Sequence, residues 1–392
     1  MLQRIYLDNS ATTPIDPLVV EAMMPFLTEK FGNASSIHFF GQEARAAVDR
    51  SRHRVAALIN ARPNEIVFTS GGTESNNLGI RGALEANEAL GTHIITSSIE
   101  HSAVKNVCED LEKRGYRLTY LPVYENGVVR LRDIEDSIDE DTAMISIMAA
   151  NNEIGTLQPV SEVGRFVRSL RETGRKIFFH TEAVQAAGRI TLDVEEIGCD
   201  LLSISAHKIY APKGIGALYV RRGIRLHPQN IGGRQERERR GGTESVPNIV
   251  AFGKACEIAS DQLKTESSRL RELRDNFESR VGEIITGITP NGDREERLPH
   301  ISNLSFASVE GEGLLINLDM QGIAVSTGSA CSSGSLEPSP VIRALSSDDD
   351  EDRARGAIRF SFGRFNRPAD IDKLLQVLPR AVDSLRRLSP SK

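Results

Sequence analysis

From about Glu65 onward the chain alternates between two patterns of apolar and polar positions. Short β-branched runs read as strands: EIVFT (65–69), HIITSS (93–98), LTYLPV (118–123), AMISIMAA (143–150), KIFFHTEA (176–183) and DLLSIS (200–205). Between them lie stretches with helical spacing, such as SAVKNVCEDLEKRG and SEVGRFVRSLRETG. A glycine turn leads from the first strand into a helix that starts near Glu74 and carries Leu78, Ile80 and Leu84. Strands separated by helices of this length predict an α/β fold, with a mostly parallel sheet covered on both faces. A long helical stretch, roughly 245–285, then leads into a different region. It holds a short sheet pattern (ISNLSF), the polar segment STGSACSSGSLEPS (326–339) and a strand GAIRFSFG. A boundary near residue 260 divides the chain into a large domain over 15–260 and a smaller α+β domain made of 1–14 and 261–392. The acidic run SSDDDEDR (346–353) reads as a solvated surface loop.

With 392 residues and 39% apolar content, the chain is long enough for two real cores. A net charge of −6 argues against a general nucleic-acid or membrane-surface binder. The N-terminal MLQRIYLDNSATTP has no apolar signal core, and no segment has the run of apolar residues that spans a membrane. Cys108, Cys199, Cys256 and Cys331 show neither CxxC pairing nor metal spacing. They are expected to be free thiols in a reducing cytoplasm, with no structural metal.

In open α/β sheets ligands bind at the carboxyl ends of strands, so the residues following each strand carry the chemistry. After EIVFT comes SGGTESNN (70–77), where glycines lead into a helix N-terminus and offer free N–H groups to an anion. The loop has neither the GK[ST] ending of a Walker loop nor a GxGxxG fingerprint. An ordinary capped turn is the bland alternative. After HIITSS, His101 stands at a helix start, where a histidine is commonly only a cap. After AMISIMAA come the amides of NNEIGTLQP (151–159), and after KIFFH comes Glu182, a carboxylate that is costly to bury unpaired. After DLLSIS comes AHKIYAPKGIG, with Lys208 in an apolar setting. That lysine either snorkels to water or is an amine with a task, such as forming a Schiff base. A carboxylate, an amine and a phosphate cradle at neighbouring strand ends are what pyridoxal 5′-phosphate requires.

The motifs SGGTESNN, IEHSAV, ANNEIGTLQPV, HTEAVQAAG, SISAHKIYAPKGIGALYVR, GGTESVPNIV and STGSACSSGSLEPS, in this order, resemble the cysteine desulfurases of the NifS/IscS group. The resemblance runs from YLDNSATTP (6–14) to IRFSFGRFN (358–366). It implies the class V aminotransferase family and a pyridoxal-phosphate transferase fold of type I. Carried over residue by residue, it implies that Lys208 is the Schiff-base lysine and that His101 stacks on the ring and shuttles protons. Gly72, Thr73, Ser205 and His207 would hold the phosphate, and Thr243 would reach the phosphate of a partner subunit in a homodimer. Asn152 and Gln185 would contact the oxygen side of the ring, Asn152 also facing substrate. Arg359 would take the substrate carboxylate as a bidentate fork. Glu182 stands where the family has Asp, so the charge is kept on a side chain one methylene longer.

The resemblance also gives Cys331 a task, as the thiol that takes sulfur from L-cysteine, becomes a persulfide and hands it to an acceptor or scaffold protein of the IscU/NifU type. Gly328 and Gly334 bracket it and lower the cost of large backbone changes. The mixed-charge run GGRQERERRGG (232–242) reads as a loop that positions Thr243. Three other readings stay open at this point. One is an aminotransferase or selenocysteine lyase on the same fold, the second a cysteine hydrolase using Cys331, and the third a sulfur carrier without catalysis.

Overall fold

The computed structural model describes residues 4–327, 338–346 and 350–388. Its strands, in chain order, begin with β1 (Ile5–Tyr6), β2 (Ile66–Thr69), β3 (His93–Ser97), β4 (Arg117–Leu121), β5 (Thr142–Ser146) and β6 (Phe178–Glu182). They continue with β7 (Leu201–Ser205), β8 (Gly216–Val220), β9 (Ile288–Pro290), β10 (Ile301–Phe306), β11 (Ile323–Ala324) and β12 (Ala357–Ser361). β2 to β8 form one sheet of seven in the order β2-β8-β7-β6-β5-β3-β4. β3 to β7 pair in parallel, as the alternation of strands and helices predicts. β8 is antiparallel to both of its neighbours. The alternation does not announce this strand, because it follows β7 without a crossover helix and therefore runs back.

Consecutive residues of each strand point to opposite faces of the sheet, and both faces are apolar. Phe68, Ile95, Ile145, Phe179, Leu202 and Tyr219 join one core. Their neighbours Val67, Ile94, Met144, Phe178, Leu201 and Leu218 join another. The second face is covered by the helices Gly72–Glu85 and Ser102–Lys113, through Leu78, Ile80, Leu84, Val104, Cys108 and Leu111. Burial on both sides is why these strands read as nearly continuous apolar runs.

The helix Val246–Ile284 is 39 residues long, about 58 Å at 1.5 Å per residue. Its first half packs on the large sheet through Ile249, Phe252 and Ile258. Its second half (Leu270, Leu273, Phe277, Val281) enters a third core with Ile5, Leu7, Phe306, Phe360 and Leu378. That core backs an antiparallel sheet ordered β12-β10-β9 and the helix Pro368–Leu388. β1 pairs with β11, so the chain's beginning is tied to residues more than 300 positions away.

The acidic run is not all loop. Asp350 accepts from the Arg353 N–H at 3.1 Å and caps a short helix, Glu351–Arg355. Acidic residues in its first turn and arginines in its last suit the helix dipole.

Candidate active site

The sheet's period of two explains how the site converges. Phe178, His180 and Glu182 share one face of β6, and Leu201, Ser203 and Ser205 share the same face of β7. The helix Gly72–Glu85 lies on that face, close enough that a Cβ at Gly79 would sit 3.5 Å from His180 Cδ2. Its N-terminus therefore arrives over the ends of both strands. A Cβ at Gly72 would come within 2.9 Å of Val184 Cγ2 and 3.6 Å of Ser205 Cβ. Gly71 enters the helix at φ +153°, a region that favours glycine, and supplies no side-chain cap. The first-turn N–H groups of Gly72 and Thr73, which have no partner within the helix, thus lie beside Ser205. Glu74 does not close it: its carboxylate turns back to the Ser70 N–H (2.7 Å) and to Arg240 (2.8 Å).

Lys208 ends a short 3₁₀ turn, Ala206–Lys208, directly after β7. Its Nζ donates to the carbonyls of Ser10 and Ala11 at 2.5 and 2.7 Å. The same N-terminal stretch accepts from Gln185 Nε2 at Ser10 O (2.9 Å) and sets Thr12 Oγ1 3.1 Å from His207 Nδ1. Burial, then the charges of Lys208 and Lys213, push His207 down to about 4. Sequence reasoning gave the stretch Asp8–Thr13 no role. The signal was there, in polar DNSATT set immediately after apolar IYL.

His101 caps the helix Ser102–Lys113 by accepting the Ala103 N–H at Nδ1 (3.1 Å), which leaves Nε2 to carry the proton of the neutral ring. Burial pushes His101 down to about 4, aided by Lys208 and Arg359. Glu182 is 4% exposed. Its longer side chain folds back so that Oε1 accepts the Val184 N–H at 2.5 Å. Burial pushes its carboxyl up to about 7, against the pull of that N–H and of Lys208. Beside it stands a carboxyl that sequence reasoning passed over. Glu100 is buried, accepts from the Met148 N–H (2.9 Å) and Ser97 Oγ (2.8 Å), and is pushed up to about 8 by burial, with a further contribution from Glu182. Its only sequence signal is position, one residue before His101.

Arg359 comes from β12, across from the large sheet, and is 3% exposed. Nη1 donates to the carbonyl of Asn152 (2.9 Å) and Nη2 to Asp8 Oδ1 (2.8 Å), while Nε is buried without a hydrogen-bond partner among the described residues. Asn152 thus meets Arg359 through its backbone. Thr243 is exposed, on a loop tied to the cradle helix by the Arg240–Glu74 pair. Cys331 lies outside the described residues. The other three cysteines are free and buried, with burial pushing Cys108 up to about 12 and Cys199 and Cys256 higher still. No helix among the described residues is long and apolar enough to cross a membrane.

The model of the class-V aminotransferases matches residues 5–374. The chain belongs to that family. Among curated relatives, the cysteine desulfurase IscS of Dictyoglomus turgidum is 50% identical over 392 residues, covering 100% of this chain and 98% of its own length. A cysteine desulfurase of Nostoc sp. is 49% identical over 388 residues, 99% of this chain and 95% of that one. Among solved structures, a NifS-like protein superposes with a TM-score of 0.88 at 36% identity, covering 98% of this chain and 99% of its own. SspA, solved in complex with cysteine, superposes with a TM-score of 0.80 at 35% identity over 93% of this chain and 100% of its own. The fold is thus shared with these class-V relatives along nearly the whole chain.

Proposed function

We propose that this protein is a cysteine desulfurase that uses pyridoxal 5′-phosphate and stores sulfur on Cys331. In the net step, L-cysteine and the Cys331 thiol become L-alanine and a Cys331 persulfide, so sulfur moves without an external oxidant or reductant. The observation that carries the reading is the meeting of three groups. An uncapped helix N-terminus, the amine of Lys208 and the buried carboxyl of Glu182 stand at neighbouring strand ends.

The residues present fit the cofactor. The N–H groups of Gly72 and Thr73, with Ser205 and His207, would hold its phosphate, and Glu182 would meet its ring nitrogen. His101 would lie against the ring, and Asn152 and Gln185 near its oxygen side. When bound, the cofactor supplies an aldehyde for an amine and an electron-poor ring. Around it, Ser10 and Ala11 orient the Lys208 amine, which takes and returns the proton at the substrate's Cα. Arg359 grips the substrate carboxylate with a guanidinium steadied by Asn152 and Asp8. His101, neutral at working pH, carries a proton at Nε2 between sulfur and solvent. Thr243 would serve the phosphate site of a second copy in a homodimer. The division near residue 260, a cytoplasmic setting and a scaffold protein as sulfur acceptor belong to the same reading.

Purified protein incubated with L-cysteine and a thiol reductant should release alanine and sulfide in equal amounts. Lys208→Ala and Cys331→Ser should each abolish both, Cys331→Ser while keeping the yellow colour of the bound cofactor. A Cys331→Ser protein that still releases sulfide at the wild-type rate overturns the role given to that thiol and favours a reaction of another class on the same fold.

A further inference from the structure

Cys331 lies between two serines that are both buried, Ser326 at 2% and Ser339 at 3% exposure. Ser326 is held by backbone pairing with Arg359, through Arg359 N to Ser326 O at 2.7 Å and Ser326 N to Arg359 O at 3.2 Å. Ser339 is held by its side chain. Its hydroxyl donates to Glu153 Oε2 at 2.5 Å and accepts the N–H groups of Val341 (3.1 Å) and Ile342 (3.2 Å), capping the helix Pro340–Ala344. Glu153 is 6% exposed and follows Asn152, whose carbonyl holds Arg359. Its turn is rigid, since Asn151 Oδ1 accepts the Glu153 N–H (2.8 Å) and Asn303 donates to the Glu153 carbonyl (3.1 Å).

A five-residue helix needs only the serine as its cap. It does not need a buried carboxylate, whose desolvation is costly. Burial indeed pushes the Glu153 carboxyl up, while the Ser339 hydroxyl and Arg359 pull it down. A short charge-assisted bond of this kind fixes a geometry. What it fixes is the place of Ser339, eight residues after Cys331 in sequence (339 less 331). Eight residues span at most about 29 Å, so the anchor bounds how far from Glu153 the thiol can lie.

We propose that Glu153 and Ser339 are a positioning pair that fixes the return anchor of the Cys331 segment to the turn holding Arg359. The inference rests on Cys331 being the sulfur acceptor. Four variants separate it from a plain helix cap. Ser339→Ala removes both cap and donor. Ser339→Asp keeps a cap but sets two carboxylates together. Ser339→Asn keeps a cap and can donate. Ser339→Asp with Glu153→Gln reverses the pair, because the new amide donates to the new carboxylate.

Persulfide formation on Cys331 of the loaded enzyme, followed by intact mass, should slow at least tenfold in Ser339→Ala and Ser339→Asp. KM for L-cysteine should stay within twofold. Ser339→Asn and the reversed pair should return to within threefold of wild type. In the apoprotein, the rate of Cys331 alkylation by iodoacetamide, read by peptide mass, should change at least threefold in the two slow variants and revert in the reversed pair. The buried Cys108, Cys199 and Cys256 serve as slow internal references. If Ser339→Ala and Ser339→Asp lower the unfolding midpoint yet leave persulfide formation and alkylation within twofold of wild type, Ser339 is a cap only and the proposal is wrong. A reversed pair as slow as Ser339→Asp alone overturns it as well. A wild-type enzyme that never forms persulfide at Cys331 sinks the sulfur-acceptor reading instead, and the alkylation rates still decide the anchor.

Discussion

Replacing Glu182 by Gln should make the apoprotein more stable at neutral pH, and by an amount that depends on pH in a defined way. The carboxyl sits at 4% exposure and is pushed up from an ordinary 4.5 to about 7 by burial. The folded state therefore holds a proton that the unfolded chain has already lost between those two values. Stability contributed by the protonated group is complete below about pH 4.5 and is lost progressively as pH rises to 7. Above pH 7 the folded protein carries a buried charge. At roughly 1.4 kcal/mol per pH unit, the full penalty is about 3 kcal/mol. A glutamine keeps the shape and can still accept the Val184 N–H, but never ionises. Urea unfolding of apoprotein from pH 4.5 to 8.5 should show wild type and Glu182→Gln coinciding at the acid end. They should diverge through pH 5–7 until the variant leads by up to about 3 kcal/mol. Glu100 titrates in both proteins, so its slope largely cancels in the difference. Parallel curves, or a wild type that gains on the variant as pH rises, would refute the assignment of Glu182 as a carboxyl kept protonated by burial. Catalysis should move the other way. The variant loses the charge proposed to face the ring nitrogen, so its alanine production should fall steeply while its stability rises, a trade expected at functional sites.

Three further outcomes follow from the geometry. Arg52 makes a bidentate pair with Glu236 at 2.6 and 2.7 Å, both side chains buried, so Arg52→Met should cost about 3–5 kcal/mol in chemical unfolding. Adding Glu236→Gln should recover part of that loss, and strictly additive costs would argue against a coupled pair. Burial pushes His101 down to about 4, so its ring should stay neutral on titration by NMR from pH 8 to 5, and an inflection between pH 6 and 7 counts against the burial argument. Because that folded value lies below the ordinary 6.5, His101 should cost stability only as pH falls from about 6.5 toward 4. Arg359→Lys gives up the planar fork and the paired contacts to Asn152 and Asp8, so KM for L-cysteine should rise at least tenfold; an unchanged KM removes Arg359 from the carboxylate site.

Much of the fold was legible in the residues because most strands of the large sheet announce themselves locally. β2, β3, β5, β6 and β7 carry the β-branched runs read from the chain. Burial of both sheet faces is written in their unbroken apolarity. Lys208 and Glu182 were legible for a related reason, since each ends an apolar run where a polar residue is costly, whereas His101 stood out only by its place at a helix start. The resemblance of the motifs then supplied roles that no spacing states.

Tertiary structure alone decided what meets what. The ion pair of Asp8 with Arg359, 351 residues apart, has no local signature, and neither has the bond from Ser339 to Glu153. Both depend on a sheet of three and a sheet of seven closing on the same turn. The upward push on Glu182 and Glu100 and the downward push on His101 likewise come from the depth at which packing buries them. Identity along a chain selects elements through local sterics and hydropathy, whereas desolvation and long-range contact exist only once those elements have packed.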